Sequence, residues 1–314
     1  MGILNLREVD KLEVMVLVDN YTDVLLLEGS NVVRRAMYPP GKTVLAEHGL
    51  SLLLRAYAGS EEDTVLMDTG TSTIALLYNA ETLGVNLEDI RSVLLSHGHF
   101  DHFAGLLPFL RKANKGVTLF VHPDAFVERR MNLETFGLPD KIDLPRLHES
   151  DVAKAGAKIE KIKTATPIGS GLVLATGEVE RVTQFEKGFP IAEANLDGSW
   201  VVDPFRDDQG LVVNLKEKGL VVIGGCSHAG IINTVKHARK VTGTDKVHAV
   251  MGGFHLTGAM FEPIIGETIA EMKRLGPAYV VPMHCTGWKA IKQFADEMSE
   301  QFLLNAVGTT YVFT

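Results

Sequence analysis

The heptapeptide Ser96-His97-Gly98-His99-Phe100-Asp101-His102 places three imidazoles and a carboxylate within six consecutive positions, directly after the apolar run Val93-Leu94-Leu95. Neutral imidazole nitrogens and a carboxylate oxygen are the donor set that suits zinc, and also iron or manganese. His97 and His99 are two residues apart, so in an extended segment they project to the same side and can share one ion. Asp101 and His102 lead into a helix start, where negative charge is favoured, and can face a second ion nearby. Gly98 lets the backbone turn between them. A polar loop of surface histidines would not need this crowding. The pattern points to a metalloenzyme that uses one or two divalent ions, zinc first, with iron or manganese as alternatives.

Positioning such a cluster requires a strand that ends where it begins. Ser92 to Leu95 is short, apolar and suited to a buried strand. Strands are also predicted over Leu12–Val18, Ser51–Tyr57, Thr64–Met67, Val117–Val121, Leu211–Leu215, Leu220–Ile223, Val247–Met251, Tyr279–Val281 and Val307–Val312. Helical spacing marks Ser72–Leu83, stopped by Gly84, and His102–Ala113, with Phe103, Leu106, Leu107 and Leu110 on one side. Further helices are predicted over Ile231–Val241, Pro263–Leu275 and Trp288–Glu300. Lys216-Glu217-Lys218-Gly219 reads as a hairpin connection. Residues from about 126 to 158 are polar and weakly periodic, which suggests an inserted lid. Two halves that each run from strands to helices suggest two sheets packed face to face with helices outside, in a single domain spanning 1–314.

Composition narrows the function classes. Hydrophobic residues make up 46% and charged residues 22%, as in a globule with a sizeable core. With a net charge of −8 and no basic run, nucleic acid is not an expected partner. No apolar run has the length of a membrane span, and Met1 to Asp10 lacks the apolar centre of a secretory signal. Cys226 and Cys285 are the only cysteines, too few for a disulfide framework, so a cytoplasmic setting is expected. The absence of a Walker or dinucleotide fingerprint leaves nucleoside triphosphate and NAD chemistry unsupported.

The His-x-His-x-Asp-His spacing resembles the signature of the metallo-β-lactamase superfamily, and Val65-Leu66-Met67-Asp68-Thr69-Gly70 resembles its Asp-Thr-Gly motif after a strand. The resemblance implies an α/β fold, a four-layer αββα sandwich of two mixed β-sheets with outer helices. It implies that Asp68 orients a ligand, that His284 in Pro282-Met283-His284-Cys285-Thr286-Gly287 is the last metal ligand, and that His228 in Gly225-Cys226-Ser227-His228 is another. One ion would then be held by His97, His99 and His228, and one by Asp101, His102 and His284. Asp101, His255 and Asp68 are the residues expected to take part in catalysis. His255, in Gly252-Gly253-Phe254-His255, is either a ligand or a substrate contact. The superfamily's metal-bridging aspartate has no counterpart after Leu220–Ile223, and Glu178 stands about where a histidine is usual. Cys226 as thiolate, Glu178 as carboxylate, His255, or occupancy by a single ion are the open compensations.

Within the superfamily, Glu47-His48-Gly49-Leu50-Ser51, Gly177-Glu178-Val179-Glu180-Arg181, Gly-Cys-Ser-His-Ala-Gly, Gly-Gly-Phe-His-Leu and His-Cys-Thr-Gly are similar to a branch that includes dihydropterin-coupling synthases. That likeness implies an anionic, phosphorylated small-molecule substrate and transfer with release of pyrophosphate, with His48, Glu178, Arg181 and Cys226 as substrate-facing residues. Lys187, Arg129 and Arg130 are further candidates for an anion, as are the helix starts after Gly224-Gly225 and Gly252-Gly253. Hydrolysis of a phosphodiester, lactone or other ester is the alternative. A di-iron redox protein and a non-catalytic metabolite sensor rank below it. His237 is read as solvated, His248 and His122 as structural, and His148 as a surface residue. The oligomeric state is left open.

Overall fold

The computed structural model describes residues 3–39, 41–113, 116–138 and 140–314. Met1 and Gly2, part of the stretch read for a leader signal, lie outside them. An eight-stranded sheet runs in the order Lys158–Lys161, Thr118–Val121, Ser92–Leu94, Glu61–Met67, Ser51–Ala58, Lys11–Val18, Thr310–Phe313, Val33–Arg34. Its first four strands pair in parallel and the rest antiparallel. The second sheet orders Thr166–Ile168, Val173–Ala175, Leu211–Leu215, Gly219–Gly224, Val247–Gly253 and Tyr279–Met283, with Glu8–Val9 paired to Leu211–Leu215. The last three strands of that path are parallel.

Side-chain alternation decides which face goes where. Leu52, Leu54, Val65 and Met67 meet Val213, Val221, Ile223, Met251 and Val281 in a core shared by both sheets. The intervening Leu53 and Leu66 point outward, where they pack with Leu76, Leu106, Phe109 and Leu110 from flanking helices. On the other side Val222, Val250 and Val280 pack with Ile232, Val235, Ile269, Met272 and Phe294. These are the four αββα layers that the sequence predicts. The helix Ile231–Thr242 buries its apolar face and ends on Gly243 in the left-handed conformation, the usual way to satisfy the last carbonyls.

Three departures from the sequence reading have local causes. The single helix expected over 102–113 is two, Phe100–Phe103 and Leu106–Lys112. The carbonyl of His102, which would have bonded four residues onward, instead accepts from Thr69 N at 2.7 Å and Thr69 Oγ1 at 2.9 Å. The break falls at Ala104-Gly105, and a Cβ on Gly105 would collide with the Thr69 carbonyl. Residues 126–158 do not form one inserted lid. Arg129–Asn132 and Lys141–Asp143 build a four-stranded sheet with Ala192–Leu196 and Ser199–Val202, whereas Glu149–Lys154 and Lys158–Lys161 return to the main body. His237 is buried, not solvated. It lies on the inner face of its helix, with Nε2 3.3 Å from the Thr176 carbonyl and Nδ1 3.4 Å from Glu180 N.

His248 packs against Tyr279 and Phe313, and His148 is exposed at a helix start. The Thr69–Gly105 approach yields a direct expectation. Gly105→Ala should destabilise the fold by about 1–3 kcal/mol through overpacking, read as a lowered urea midpoint. A midpoint equal to the parent's would contradict that contact.

Candidate metal centre

Five loops that leave strand ends converge on one rim of the sandwich. Asp68 follows Glu61–Met67, the histidine run follows Ser92–Leu94, and Cys226, Ser227 and His228 follow Gly219–Gly224. His255 follows Val247–Gly253, and His284 follows Tyr279–Met283. Four of these residues, Asp68, Ser227, His255 and His284, have φ of 59°, 56°, 46° and 47°. The left-handed region costs a non-glycine residue about 1–3 kcal/mol. Its concentration here shows that the strand ends are turned sharply to aim side chains inward. Local hydrogen bonds hold the turns: His284 N donates to Asp19 Oδ1 at 2.8 Å, and Ala229 N to Asp208 Oδ2 at 2.8 Å.

Three nitrogens meet at the centre. His228 Nε2 is 3.2 Å from both His97 Nε2 and His99 Nδ1. Two donors bound tetrahedrally to one zinc at about 2.0–2.1 Å stand about 3.3 Å apart, so this spacing fits a common ion. Burial, reinforced by neighbouring imidazoles, pushes His97 and His228 well down from their ordinary pKa. Burial, with Arg129 nearby, takes His99 to about 3. All three rings are therefore neutral at physiological pH and present lone pairs, the form a metal ion needs.

A second group lies beside the first. The donor atoms of Asp101, His102, Cys226 and His284 lie within 4.8 Å of one another. His284 Nε2 is 3.2 Å and His102 Nε2 3.6 Å from Asp101 Oδ2. His284 Nε2 is buried and makes no hydrogen bond, which leaves it free for a ligand's role. The His102 tautomer is set from behind, since Nδ1–H donates to Asp68 Oδ2 at 2.6 Å. Asp68 also accepts from Ser96 N and Ser96 Oγ, each at 2.7 Å. Burial opposes a charge on His102, but Asp68 and Asp101 outweigh it and hold its pKa at about 9. His102 and His284 in turn overcome burial at Asp101 and keep its carboxyl below the usual range.

The floor under the histidines is a buried ion network. Gly98 N and Arg129 Nη2 both donate to Asp207 Oδ2 at 2.8 Å, and Arg129 Nε donates to Asp203 Oδ2 at 2.7 Å. A side chain at position 98 would meet the Ala125 carbonyl and Arg129, so only glycine fits between the two histidines. Arg129 is thus locked under the site and is not a free anion ligand. Arg130 is also committed, to Glu193 at 2.6 Å and to the face of Trp200.

A cavity of about 400 Å³ opens beside His228. Its lining includes Glu186, Lys187, Ser227, His228, His255 and Phe261. His255 is wedged between His228 and Phe261, with ring centroids 4.3 and 4.4 Å away, and Phe189 lies 5.1 Å off. Phe205 stacks on His228 at 4.3 Å. His48 sits at the outer edge of the second group, its ring 4.8 Å from His284 and its Nε2 3.7 Å from Asp101 Oδ2.

Several expectations need correcting. Glu178 belongs to none of the donor groups among the described residues. Its Oε1 bonds His122 Nε2 at 3.0 Å, and it lines a separate cavity with Lys163 and Lys240. Arg181 donates to the Pro204 carbonyl at 3.1 Å and packs behind Gly188, outside the main cavity's lining. The helix start after Gly224-Gly225 is not open to phosphate. The buried Glu186 carboxylate already caps it, accepting from Ile232 N and Asn233 N at 2.9 Å. Asp19, Asp207, Asp208, Phe189 and Phe205 were not singled out from the sequence, where nothing local distinguishes them from ordinary acids and core aromatics.

The geometry predicts two outcomes. Asp68→Asn should weaken divalent-ion binding about 10–100-fold with the fold retained, as read by competition with a chelator. Because His102 holds a proton up to about pH 9, an ion taken up by its group at pH 7 must displace it. Uptake should then release at least one proton, and affinity should rise with pH towards 9. Calorimetry in two buffers of different protonation enthalpy measures this, and a release of zero would contradict it.

Known proteins resemble this chain along its length. The profile described as "Metallo-beta-lactamase superfamily" matches residues 46–190. The 7,8-dihydropterin-6-methyl-4-(beta-D-ribofuranosyl)-aminobenzene-5'-phosphate synthase of Methanocaldococcus jannaschii is 32% identical over 303 residues, 96% of each chain. The crystal structure of Tm1679, described as a metal-dependent hydrolase of the beta-lactamase superfamily, superposes with a TM-score of 0.73 at 26% identity, covering 95% of this chain and 98% of that one. The metallo-beta-lactamase fold protein YhfI from Bacillus subtilis, at 13% identity and a TM-score of 0.51, covers 97% of this chain and 100% of its own and shares the fold. On these matches and the rim described above, the chain belongs to the metallo-beta-lactamase superfamily of metal-dependent enzymes.

Proposed function

We propose that the protein is a two-ion enzyme acting on an anionic, phosphorylated small molecule, and that it joins a dihydropterin pyrophosphate to an aminobenzene-type acceptor. The observation that carries the metal reading is the meeting of His97, His99 and His228 nitrogens at 3.2 Å beside a 400 Å³ cavity. His97, His99 and His228 would hold one divalent ion and Asp101, His102 and His284 the other, with zinc the best match to the donors. Such ions supply Lewis acidity, polarising a phosphoryl or carbonyl oxygen and lowering the pKa of water. The substrate class rests on the synthase relative, which spans nearly the whole chain.

The chain's own residues divide the remaining work. Phe261 and the His255 ring line the cavity, with Phe189 packed against both, and offer an aromatic surface suited to a flat heterocycle. Lys187 places a positive charge on the same cavity, where it can attract a pyrophosphate. His255 packs between Phe261 and His228, where it could donate a hydrogen bond to a departing oxygen. In transfer, the bond from the pterin methylene to the pyrophosphate oxygen breaks, the acceptor forms a new bond at that carbon, and the acceptor's proton leaves to solvent.

Hydrolysis is the second reading, favoured by the likeness to Tm1679. The two separate in one assay. Release of pyrophosphate from the dihydropterin donor only when acceptor is present supports transfer. Turnover of phosphodiesters or lactones, with no acceptor-dependent release, supports hydrolysis. Under either reading, chelation should abolish activity and a divalent ion restore it. His97→Ala and Asp101→Ala should each cost about 3 kcal/mol or more of transition-state stabilisation, roughly a hundredfold in rate, with circular dichroism unchanged. Full activity in both variants would overturn the assignment.

A further inference from the structure

His48 borders the second donor group without joining any such group among the described residues. Its side chain is 60% exposed, yet the backbone that carries it is firmly held. Glu47 N donates to the Asp19 carbonyl at 3.1 Å, and Glu47 Oε1 accepts from Thr71 N at 2.8 Å and Ser72 N at 3.0 Å. The His48 carbonyl accepts from the Thr71 hydroxyl, and Leu50 N donates to the Asp101 carbonyl at 3.3 Å. An exposed ring on so fixed a loop adds little to the core and is displayed in one place.

Asn20 decides what that ring can do. Its amide has one orientation, because the His284 carbonyl, 3.1 Å from Nδ2, can only accept. Nδ2 then turns its other hydrogen to His48 Nδ1, 3.3 Å away, and Oδ1 faces His284 Nδ1 at 3.4 Å. His48 Nδ1 is therefore the acceptor, and the proton of that ring sits on Nε2. His284 has the reverse tautomer: Nδ1 carries the proton and the unpartnered Nε2 presents a lone pair. His48 Nε2 lies 3.7 Å from Asp101 Oδ2, too far for a hydrogen bond. Its N–H has no partner among the described residues and stands at the edge of the second donor group.

We propose that His48 is a substrate-binding residue that donates Nε2–H to an anionic oxygen of a phosphate or pyrophosphate, and that Asn20 is the positioning residue that fixes this tautomer. The contact is separate from Lys187, since the cavity beside His228 is lined by none of Asn20, His48, Asp101 or His284. The proposal rests on the anionic-substrate reading above and deepens it.

The test uses the full chain loaded with zinc, with inorganic pyrophosphate as the probe. In protein labelled with nitrogen-15 in histidine, long-range nitrogen–proton spectra should show His48 protonated at Nε2 alone, and pyrophosphate should shift that resonance. At full zinc occupancy, pyrophosphate affinity should fall about tenfold in His48→Ala, the loss of one charge-assisted hydrogen bond. His48→Gln, whose amide N–H can take the place of Nε2–H, should restore most of it. Asn20→Ala should weaken pyrophosphate in the parent and change nothing in a His48→Ala background, because the two residues act through one ring. A His48 ring protonated at Nδ1 would overturn the proposal, as would parental affinity in His48→Ala or additive losses in the double variant. Each of these leaves the anionic-substrate reading standing, whereas zinc-loaded wild type that binds no pyrophosphate overturns both. If a variant does not fold, the spectra of the unaltered protein decide: a His48 resonance that pyrophosphate does not move overturns the proposal.

Discussion

A single buried carboxylate ties the site to the fold. Asp68 is fully buried, and it takes hydrogen bonds from the Ser96 backbone, the Ser96 hydroxyl and the His102 ring. Those three donors lie on the loop and short helix that follow the neighbouring parallel strand. The Ser51 hydroxyl donates to the Asp68 carbonyl from the next strand. One anion thereby fixes the end of Glu61–Met67, the start of the histidine run and the tautomer of a donor. A buried charge is tolerated only when its lone pairs are so occupied.

The sandwich makes that arrangement affordable in conformational terms. The left-handed residues at the rim together cost several kcal/mol. Each well-buried Leu, Val or Ile of the shared core returns about 1.5–3 kcal/mol, and Leu52, Leu54, Val213, Val221 and Ile223 are all essentially inaccessible. Strain at one edge is thus offset by packing between the sheets, and the stiffness of that packing keeps imidazole nitrogens at 3.2 Å.

Polarity is graded across the site. The charges of Arg129, Asp203 and Asp207 lie beneath the histidines, out of solvent. Above them the rings of Phe205, Phe189 and Phe261 surround His228 and His255. An ion held between these layers would be shielded from water on its aromatic side, where electrostatic interactions are strengthened.

Much of this was legible in the chain. The run from His97 to His102, the Asp-Thr-Gly segment and the histidines that follow strands at 228, 255 and 284 are local patterns, and period-two alternation marked the central strands. Such signals survive in one dimension because one strand or turn carries each of them. The third sheet was not legible, since Arg129–Asn132 and Ala192–Leu196 become partners only across some sixty positions and neither alternates strongly. Glu178 and Arg181 looked like site residues because they sit in a family-like segment, yet the turn at Gly177 sends Glu178 to His122. Likewise, spacing alone could not tell that Glu186 would cap the helix at Ile231, that His237 would face inward, or that Cys226 would reach His102. The amino-acid order determined which donors the protein has and on which strand ends they ride. Only the closure of two sheets decided which donors share a centre, because distances between distant strand ends are set by packing and not by sequence separation.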